Sequence, residues 1–180
     1  KPRMIFFFFF AILSEIMPFN DIVNSQLEFY ETNLTADDIL GELETRLPIS
    51  SQYLLDKVKS VLSPSLALKK FVVELDDFSA FAFPVLRGLE GVLKQIYFDN
   101  GIVIGKEGFG DYLQIDGGGV NVTLSNNTTS KINCGKTHKA ICEIYSFYNY
   151  NRHSLFHMDG TIVTSRILNR TEAESIINNA

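Results

Sequence analysis

The stretch from Tyr150 to Asp159, YNRHSLFHMD, brings together side chains that can do chemistry. It holds two of the chain's three histidines and one of its six arginines. Histidine titrates near neutral pH and arginine keeps a fixed positive charge, so the two are suited to moving a proton while holding an anion. Three interpretations are open: a helix that shows Arg152 and His153 to water, a metal site, or a catalytic pair.

A metal site would use His153 and His157, which lie at i and i+4 on one face of a helix. This set is incomplete, because zinc takes three or four protein ligands. His138 is the remaining histidine, and Asp159 is near in sequence without necessarily converging on the pair. The sequence therefore predicts no metal and no other cofactor.

A catalytic pair would consist of Arg152 and His157, an R-x4-H pattern. Metal-free RNA cleavage needs a group that takes the proton from a ribose 2′-OH and a cation that holds the charge developing at phosphorus. Five residues along an ideal helix turn the chain by about 500°, which leaves the two side chains about 140° apart. They can meet on one phosphate only if the helix starts or bends between them, or if two subunits bring their motifs together across a twofold axis.

A second polar constellation lies in FPVLRGLEGVLKQIY, where Arg87, Glu90 and Lys94 follow i, i+3, i+7 spacing. One interpretation is an exposed Glu90–Lys94 pair with Arg87 beside it, worth a few tenths of a kcal/mol. Gly88 and Gly91, however, permit close approach of another backbone or of a ligand. An Arg-Glu pair facing the Arg-His pair would provide phosphate binding and a carboxylate to orient or assist proton transfer.

Mostly helical elements must position these residues. Thr35 is suited to cap the first helix, Pro48 and Pro64 divide the next ones, and Pro84 marks a kink or a boundary. The glycine-rich segment Gly101–Gly135 predicts loops and a hairpin. The predicted helices cover 37–47, 51–62, 65–75 and 78–98, with one more from about residue 137 and a last one over 164–178.

The apolar run MIFFFFFAIL at Met4–Leu13 is similar to part of a signal peptide. Ser14 and Glu15 follow at once, however, and a run this short cannot span a bilayer. Phenylalanine favours a buried strand instead. We expect residues 1–18 to be the end of a preceding domain in a longer protein, and residues 19–180 to form the functional domain, without membrane association.

The charge distribution suits a partner that carries phosphate. The net charge is −5, but residues 131–170 carry six Lys/Arg against two Asp/Glu, and such a local field attracts phosphate.

Cys134 and Cys142 are eight positions apart, which fits neither a CxxC pair nor a disulfide framework. A cytoplasmic location is the simpler interpretation.

Together, RHSLFHM at 152–158, LRGLEGVLK at 86–94 and GFG at 108–110 resemble the C-terminal region of the ribonuclease LS (RnlA) toxin family, of the HEPN superfamily. The likeness extends over about residues 80–170. It implies a mainly α fold, a HEPN-like helical bundle with a Gly-rich loop or β-hairpin between the two motif helices.

The resemblance also implies roles for single residues. Arg152 and His157 would carry out RNA cleavage, and Arg87 and Glu90 would complete substrate binding or catalysis. The products would be a 2′,3′-cyclic phosphate and a 5′-OH. Lys94 and His153, which neighbour these residues, are expected to contact RNA.

The implied partners are RNA, a second copy of the chain, a cognate antitoxin and a phage-encoded inhibitor. Two protomers would join through their R-x4-H regions into one cleft, and the antitoxin would mask it until phage infection. Two hypotheses stay open: an endoribonuclease toxin, or a catalytically silent HEPN-type domain that binds an antitoxin or phage inhibitor. The general base is equally open between Glu90 and His157.

Overall fold

The computed structural model describes residues 34–106, 108–116, 121–156 and 166–180, and it is mainly helical. The predicted helical architecture is confirmed, as is the hairpin between the two motif helices. The expected strand in residues 1–18 and the boundary at 19 lie outside the described residues. The elements are α1 (Ala36–Arg46), a 3₁₀ turn (Ser50–Gln52), α2 (Asp56–Lys69), α3 (Ser79–Asp99), β1 (Leu113–Ile115), β2 (Val122–Leu124), α4 (Asn126–Thr129), α5 (Gly135–Phe156) and α6 (Arg170–Asn179).

Helix α1 begins with a reciprocal cap. The Thr35 hydroxyl accepts a hydrogen bond from the Asp38 backbone N–H at 3.2 Å, and the Asp38 carboxylate accepts one from the Thr35 N–H at 2.9 Å. These bonds satisfy donors that the first turn of a helix leaves without partners. The predicted cap at Thr35 is therefore confirmed.

Helix α2 differs from the prediction. The sequence predicts separate helices over 51–62 and 65–75, whereas one helix runs through Pro64. A proline inside a helix costs about 3 kcal/mol, because it removes a hydrogen bond and crowds the preceding turn. Packing outweighs this cost, since Leu62 and Leu66 beside the proline are buried in the core.

The end of α2 is capped by Arg170, the first residue of α6. Its guanidinium donates hydrogen bonds to the carbonyl oxygens of Lys69, at 2.8 Å, and Phe71, at 2.7 Å. The last carbonyls of a helix lack partners within it, so a cation placed there stabilises the end. Residues 71–75, which follow this cap, are not helical, and this corrects the prediction for that segment.

Helix α3 packs closely on α2 at Gly88. A Cβ atom at position 88 would collide with the side chain of Leu62. The absence of a side chain at Gly88 therefore permits the close approach that the sequence predicted. The helix continues through Pro84, which therefore marks no boundary. Gly101, with a φ of 74°, follows the helix and turns the chain away from it.

The glycine-rich segment Gly101–Gly135 packs against both motif helices, α3 and α5. Strands β1 and β2 pair antiparallel, with Leu113 opposite Leu124. Phe109, the central residue of the GFG motif, is buried, and its ring lies 6.0 Å from Tyr97 of α3 and 5.5 Å from Tyr145 of α5. The hairpin region thus fixes how α3 and α5 lie against each other.

The core has two connected parts, and α3 and α5 run through both. The first gathers apolar side chains of α1, α2, α3 and α6 around Leu86 and Leu89, and includes Tyr148 of α5. The second surrounds Leu93 and Ile141 with residues of the excursion. Within the described ranges, no helix is long and apolar enough to cross a membrane.

Helix α6 begins later than predicted. The prediction placed its start at 164, but residues 166–169 are not helical and residues 164–165 lie outside the described part. The Asn169 side chain caps the helix by accepting a hydrogen bond from the Glu172 N–H at 2.9 Å. The Asn-x-x-Glu pattern in the sequence is the signal for this start.

Candidate active site

A cavity of about 230 Å³ lies where α3 faces α5. It brings together the two polar constellations recognised in the sequence. The described residues that line it are Phe83, Leu86, Arg87 and Glu90 from α3, with Tyr148 and Arg152 from α5.

The α3 wall of the cavity is one face of that helix. Helical spacing of i, i+4, i+7 and i+11 places four side chains in one row along the helix: Phe83, Arg87, Glu90 and Lys94. The opposite side of α3 carries buried apolar residues such as Leu89 and packs on the core. Because the apolar side of α3 is buried, the side that carries Arg87 and Glu90 faces α5.

Both carboxylate oxygens of Glu90 have donors. Lys94 donates from Nζ to Oε1 at 2.7 Å, and Tyr148 donates from its hydroxyl to Oε2 at 3.1 Å. Burial acts to raise the pKa of this carboxyl. The hydrogen bonds and charges of Lys94, Tyr148 and Arg152 outweigh burial, so the pKa of the carboxyl lies below its ordinary value. Glu90 is thus a carboxylate at neutral pH.

Tyr148 is the residue that sequence reasoning missed. It is only 5% exposed, and it links α5 to α3 through the bond to Glu90. Burial and the neighbouring carboxylate raise the pKa of Tyr148 to about 12, so its hydroxyl stays protonated and remains a donor. The available signal was its position one helical turn before Arg152, on the same face.

Arg152 lies over Tyr148, with its guanidinium carbon 5.8 Å from the centre of the ring. This is the geometry of a cation–π contact. Within the described ranges, neither Arg152 nor Arg87 forms an ion pair. Other cations of the basic segment do have partners: Lys139 with Glu143 at 3.7 Å, Arg166 with Glu172 at 3.7 Å and Arg170 with Glu174 at 2.8 Å. Two positive charges are therefore available to an anion in the cavity.

The remaining predicted residues have different surroundings. Lys94 is bound to Glu90, and His153 is exposed on α5 next to Arg152. His157 lies outside the described residues. Among the side chains that the structure describes, no group of three His, Cys, Asp or Glu is placed to hold a metal ion.

Among the residues that the structure describes, two larger cavities lie away from the predicted site residues. One, of about 500 Å³, lies along residues 72–76 beside Arg170. The other, of about 440 Å³, is lined mainly by apolar side chains of α1, α2, α3 and α6. Neither is lined by a pair of opposite charges from the two motif helices, so the smaller cavity is the better candidate for chemistry.

A mainly helical bundle, in which two long helices face each other across a cavity and are joined by a segment with a small hairpin, fits a domain of the HEPN type. The chain belongs to the RnaseLS-like HEPN family, whose model matches residues 51–175. The resemblance drawn from the sequence motifs is therefore confirmed.

Two relatives from Escherichia coli are named as endoribonucleases. The mRNA endoribonuclease LsoA of strain O157:H7 is 30% identical over 165 residues, which cover 92% of this chain and 47% of that protein. The mRNA endoribonuclease toxin LS of strain K12 is 28% identical over 127 residues, which cover 70% of this chain and 35% of that protein. The chain thus spans less than half the length of either relative.

A solved structure has the same fold. It is the crystal structure of Escherichia coli toxin LsoA in complex with the T4 phage antitoxin Dmd, with a TM-score of 0.72 and 28% sequence identity. The match covers 93% of this chain and 66% of that chain.

Proposed function

We propose that this domain is the metal-independent endoribonuclease part of a toxin from a toxin–antitoxin system. The observation that carries the proposal is the cavity where Arg87, Glu90 and Arg152 meet from two helices. Cations beside a fixed carboxylate suit a phosphodiester that passes through a more highly charged transition state. The endoribonuclease names of the two relatives support the same reaction class.

The proposed reaction begins with the substrate phosphate held between Arg87 and Arg152. The ribose 2′-oxygen loses its proton to a base and attacks the adjacent phosphorus, while the bond from phosphorus to the 5′-oxygen breaks. The arginines stabilise the charge that grows on the non-bridging oxygens. A proton returned to the 5′-oxygen completes the step, and the products are a 2′,3′-cyclic phosphate and a 5′-OH.

We assign the base to His157 and an orienting role to Glu90. Glu90 is a weak base, because both of its oxygens already accept hydrogen bonds and its pKa lies below the ordinary value. Efficient proton transfer at neutral pH needs a group with a pKa near 7, which suits histidine. The carboxylate then helps to place Arg152 by charge.

The continuity of α5 through Arg152 supports a composite site. Helix α5 is continuous from Gly135 through Phe156, so the helix does not start between the two motif residues. Convergence on one phosphate then requires a bend after Phe156 or a second protomer. We propose a homodimer in which two R-x4-H regions share one cleft.

An inhibitor that covers this cleft would silence the toxin. LsoA has been solved with the phage antitoxin Dmd, and we propose that a cognate antitoxin or a phage-encoded inhibitor binds this chain in the cytoplasm. A catalytically silent domain that only binds such a partner is the alternative. The two differ in one result: the silent domain binds the inhibitor and leaves RNA intact.

The test is incubation of the 180-residue chain with mixed single-stranded RNA in excess EDTA, followed by analysis of the product ends. The proposal expects fragments with 2′,3′-cyclic phosphate and 5′-OH termini. Intact RNA, recovered with folded protein, supports the silent domain instead.

A further inference from the structure

We propose that the ammonium of Lys94 donates the proton that the 5′-oxygen takes up as its bond to phosphorus breaks. The inference rests on the proposed ribonuclease function and adds a catalytic residue to it. Lys94 then acts in the chemical step itself, beyond a contact with RNA.

The first observation is the position of the Lys94 ammonium at the edge of the candidate cavity. Lys94 lies two helical turns after Arg87 on the same face of α3. Its Nζ is 2.7 Å from Oε1 of Glu90, which lines the cavity. The Lys94 side chain is 42% exposed, so a substrate in the cavity can reach the ammonium.

The second observation is the antiparallel packing of α3 and α5. Tyr148 bonds to Glu90, whereas Arg152, one turn later on α5, shares the cavity with Arg87, which lies earlier on α3. Helix α5 therefore runs on from Arg152 in the direction away from Lys94. Attack and departure at phosphorus take place roughly in line, on opposite sides. A base supplied from that end of α5 and a proton donor at Lys94 would act on these two sides.

The third observation is that the other described groups around the cavity are poorly suited to give up a proton. Arginine keeps its proton throughout the neutral range, which leaves out Arg87 and Arg152. Glu90 is ionised and can only accept. Burial and the neighbouring carboxylate raise the pKa of Tyr148 to about 12, and its hydroxyl already donates to that carboxylate. His153 directly follows Arg152, which turns it about 100° around α5 from that residue.

The chemistry of the step needs a donor, because an alkoxide is a poor leaving group. As the ribose 2′-oxygen bonds to phosphorus, the bond from phosphorus to the 5′-oxygen breaks, and its electron pair stays on that oxygen. A proton moves at the same time from Lys94 Nζ to the 5′-oxygen. The products are the 2′,3′-cyclic phosphate, the 5′-OH and a neutral Lys94 amine. The amine regains a proton from water, and the base releases its own to water, so the cycle balances.

The experiment compares two leaving groups at one cleavage site. The substrates are single-stranded RNA 12-mers built around a linkage that wild type cuts in mixed RNA, with the other 2′-oxygens methylated. That linkage carries either the natural 5′-oxygen or a bridging 5′-sulfur. A thiol is a far stronger acid than an alcohol, so a thiolate leaves without a donated proton. Loss of a proton donor therefore slows cleavage at oxygen and spares cleavage at sulfur.

The variants are Lys94→Met, Lys94→Arg, Arg87→Met and, as the matched control, Lys139→Met. Methionine removes the charge and the proton, whereas arginine keeps the charge and does not give up its proton. Lys139 is an exposed lysine of α5 that, like Lys94, pairs with a glutamate four positions away. Single-turnover rates in excess EDTA and excess enzyme separate the chemical step from binding. Far-UV circular dichroism checks folding.

We expect Lys94→Met and Lys94→Arg to cleave the oxygen linkage about 100-fold or more slowly than wild type. Both should cleave the sulfur linkage at nearly the wild-type rate. Arg87→Met should slow both linkages, because its charge acts on the phosphate whichever atom leaves. Lys139→Met should match wild type on both.

Two results would overturn the proton donor. Folded Lys94→Met that is slowed equally on the two linkages makes Lys94 a phosphate contact, and a wild-type rate at oxygen for Lys94→Arg shows that charge alone is needed. Either result leaves the ribonuclease proposal standing, since wild type still cuts. Failure of folded wild type to cut RNA at all removes the ribonuclease function, and the proton donor with it.

Discussion

The hydroxyl of Tyr148 on α5 donates a hydrogen bond of 3.1 Å to Oε2 of Glu90 on α3, across 58 positions of sequence. The second oxygen of the carboxylate accepts from Lys94. The Tyr148 bond ties the two motif helices together at the cavity. Together with the hydrogen bond and charge of Lys94 and the charge of Arg152, it holds the pKa of Glu90 below its ordinary value in spite of burial.

Tyr148→Phe should lower the rate of RNA cleavage while keeping the ring under Arg152. The reason is that Glu90 loses a donor to its ionised form, so the pKa of Glu90 should rise and the carboxylate should be less firmly placed. Carboxyl ¹³C NMR titration of the variant measures the pKa directly and does not depend on activity. A Glu90 pKa identical to that of wild type would contradict the positioning role.

Tyr97→Phe is the matched control for that variant. Tyr97 is also buried on α3, and its hydroxyl lies 3.4 Å from the Thr128 hydroxyl in the other part of the core. Both variants remove a buried hydroxyl and should lose about 1 kcal/mol in free energy of unfolding. Only Tyr148→Phe should slow cleavage, whereas equal slowing in both would point to a general effect on stability.

Glu90→Gln should distinguish an orienting carboxylate from a general base. Since the pKa of Glu90 lies below its ordinary value, the carboxylate is ionised across pH 5–8 and its stabilising effect is lost only as pH falls through that lowered pKa. The variant should therefore cleave more slowly across this range without moving the inflection near neutral pH. Loss of the inflection itself would instead make Glu90 the base.

Arg87→Met should reduce the salt dependence of RNA binding. Each cation that neutralises a phosphate of a single strand contributes about 0.7 to the slope of log K against log salt concentration. The slope for the variant should be shallower by about that amount. Lys139→Met serves as the control, because Lys139 is exposed on α5 and pairs with Glu143 instead. An equal decrease for both variants would indicate diffuse attraction without a site.

Gly88→Ala should destabilise the fold, and Gly91→Ala should not. A Cβ at position 88 collides with Leu62, whereas one at position 91 would lie 3.4 Å from the nearest atom of Val58, an ordinary contact. Overpacking costs about 1–3 kcal/mol, while alanine in place of glycine in a helix gains up to about 1 kcal/mol. Urea denaturation of both variants measures the difference. Equal stability would mean that α2 and α3 are not in close contact at residue 88.

The local parts of the site could be predicted from the sequence. Arg87 and Glu90 share a face of α3 because residues three apart on a helix are neighbours, and that spacing is visible in the sequence. The spacing also places Tyr148 one helical turn before Arg152, but its contact with Glu90 could not be predicted, because that contact depends on how two helices pack.

The fold shows a similar division. The cap at Thr35 and the loop after Gly101 follow from local chemistry and were predicted. The proline rule failed at Pro64, because burial of Leu62 and Leu66 outweighs one lost hydrogen bond. The cap at the end of α2 comes from Arg170, about 100 positions away, and no local pattern reveals that contact.

The most direct test of the central claim is cleavage of mixed single-stranded RNA in excess EDTA by wild type, Arg152→Ala, His157→Ala and, as a control, His138→Gln. His138 bonds to the Ile132 carbonyl oxygen and does not line the cavity described here. Wild type and His138→Gln should leave 2′,3′-cyclic phosphate and 5′-OH ends, and the other two variants should be slower by at least about 100-fold. Cleavage that EDTA abolishes would contradict the metal-independent mechanism, and cleavage that His157→Ala retains in full would contradict the role of His157 as the base.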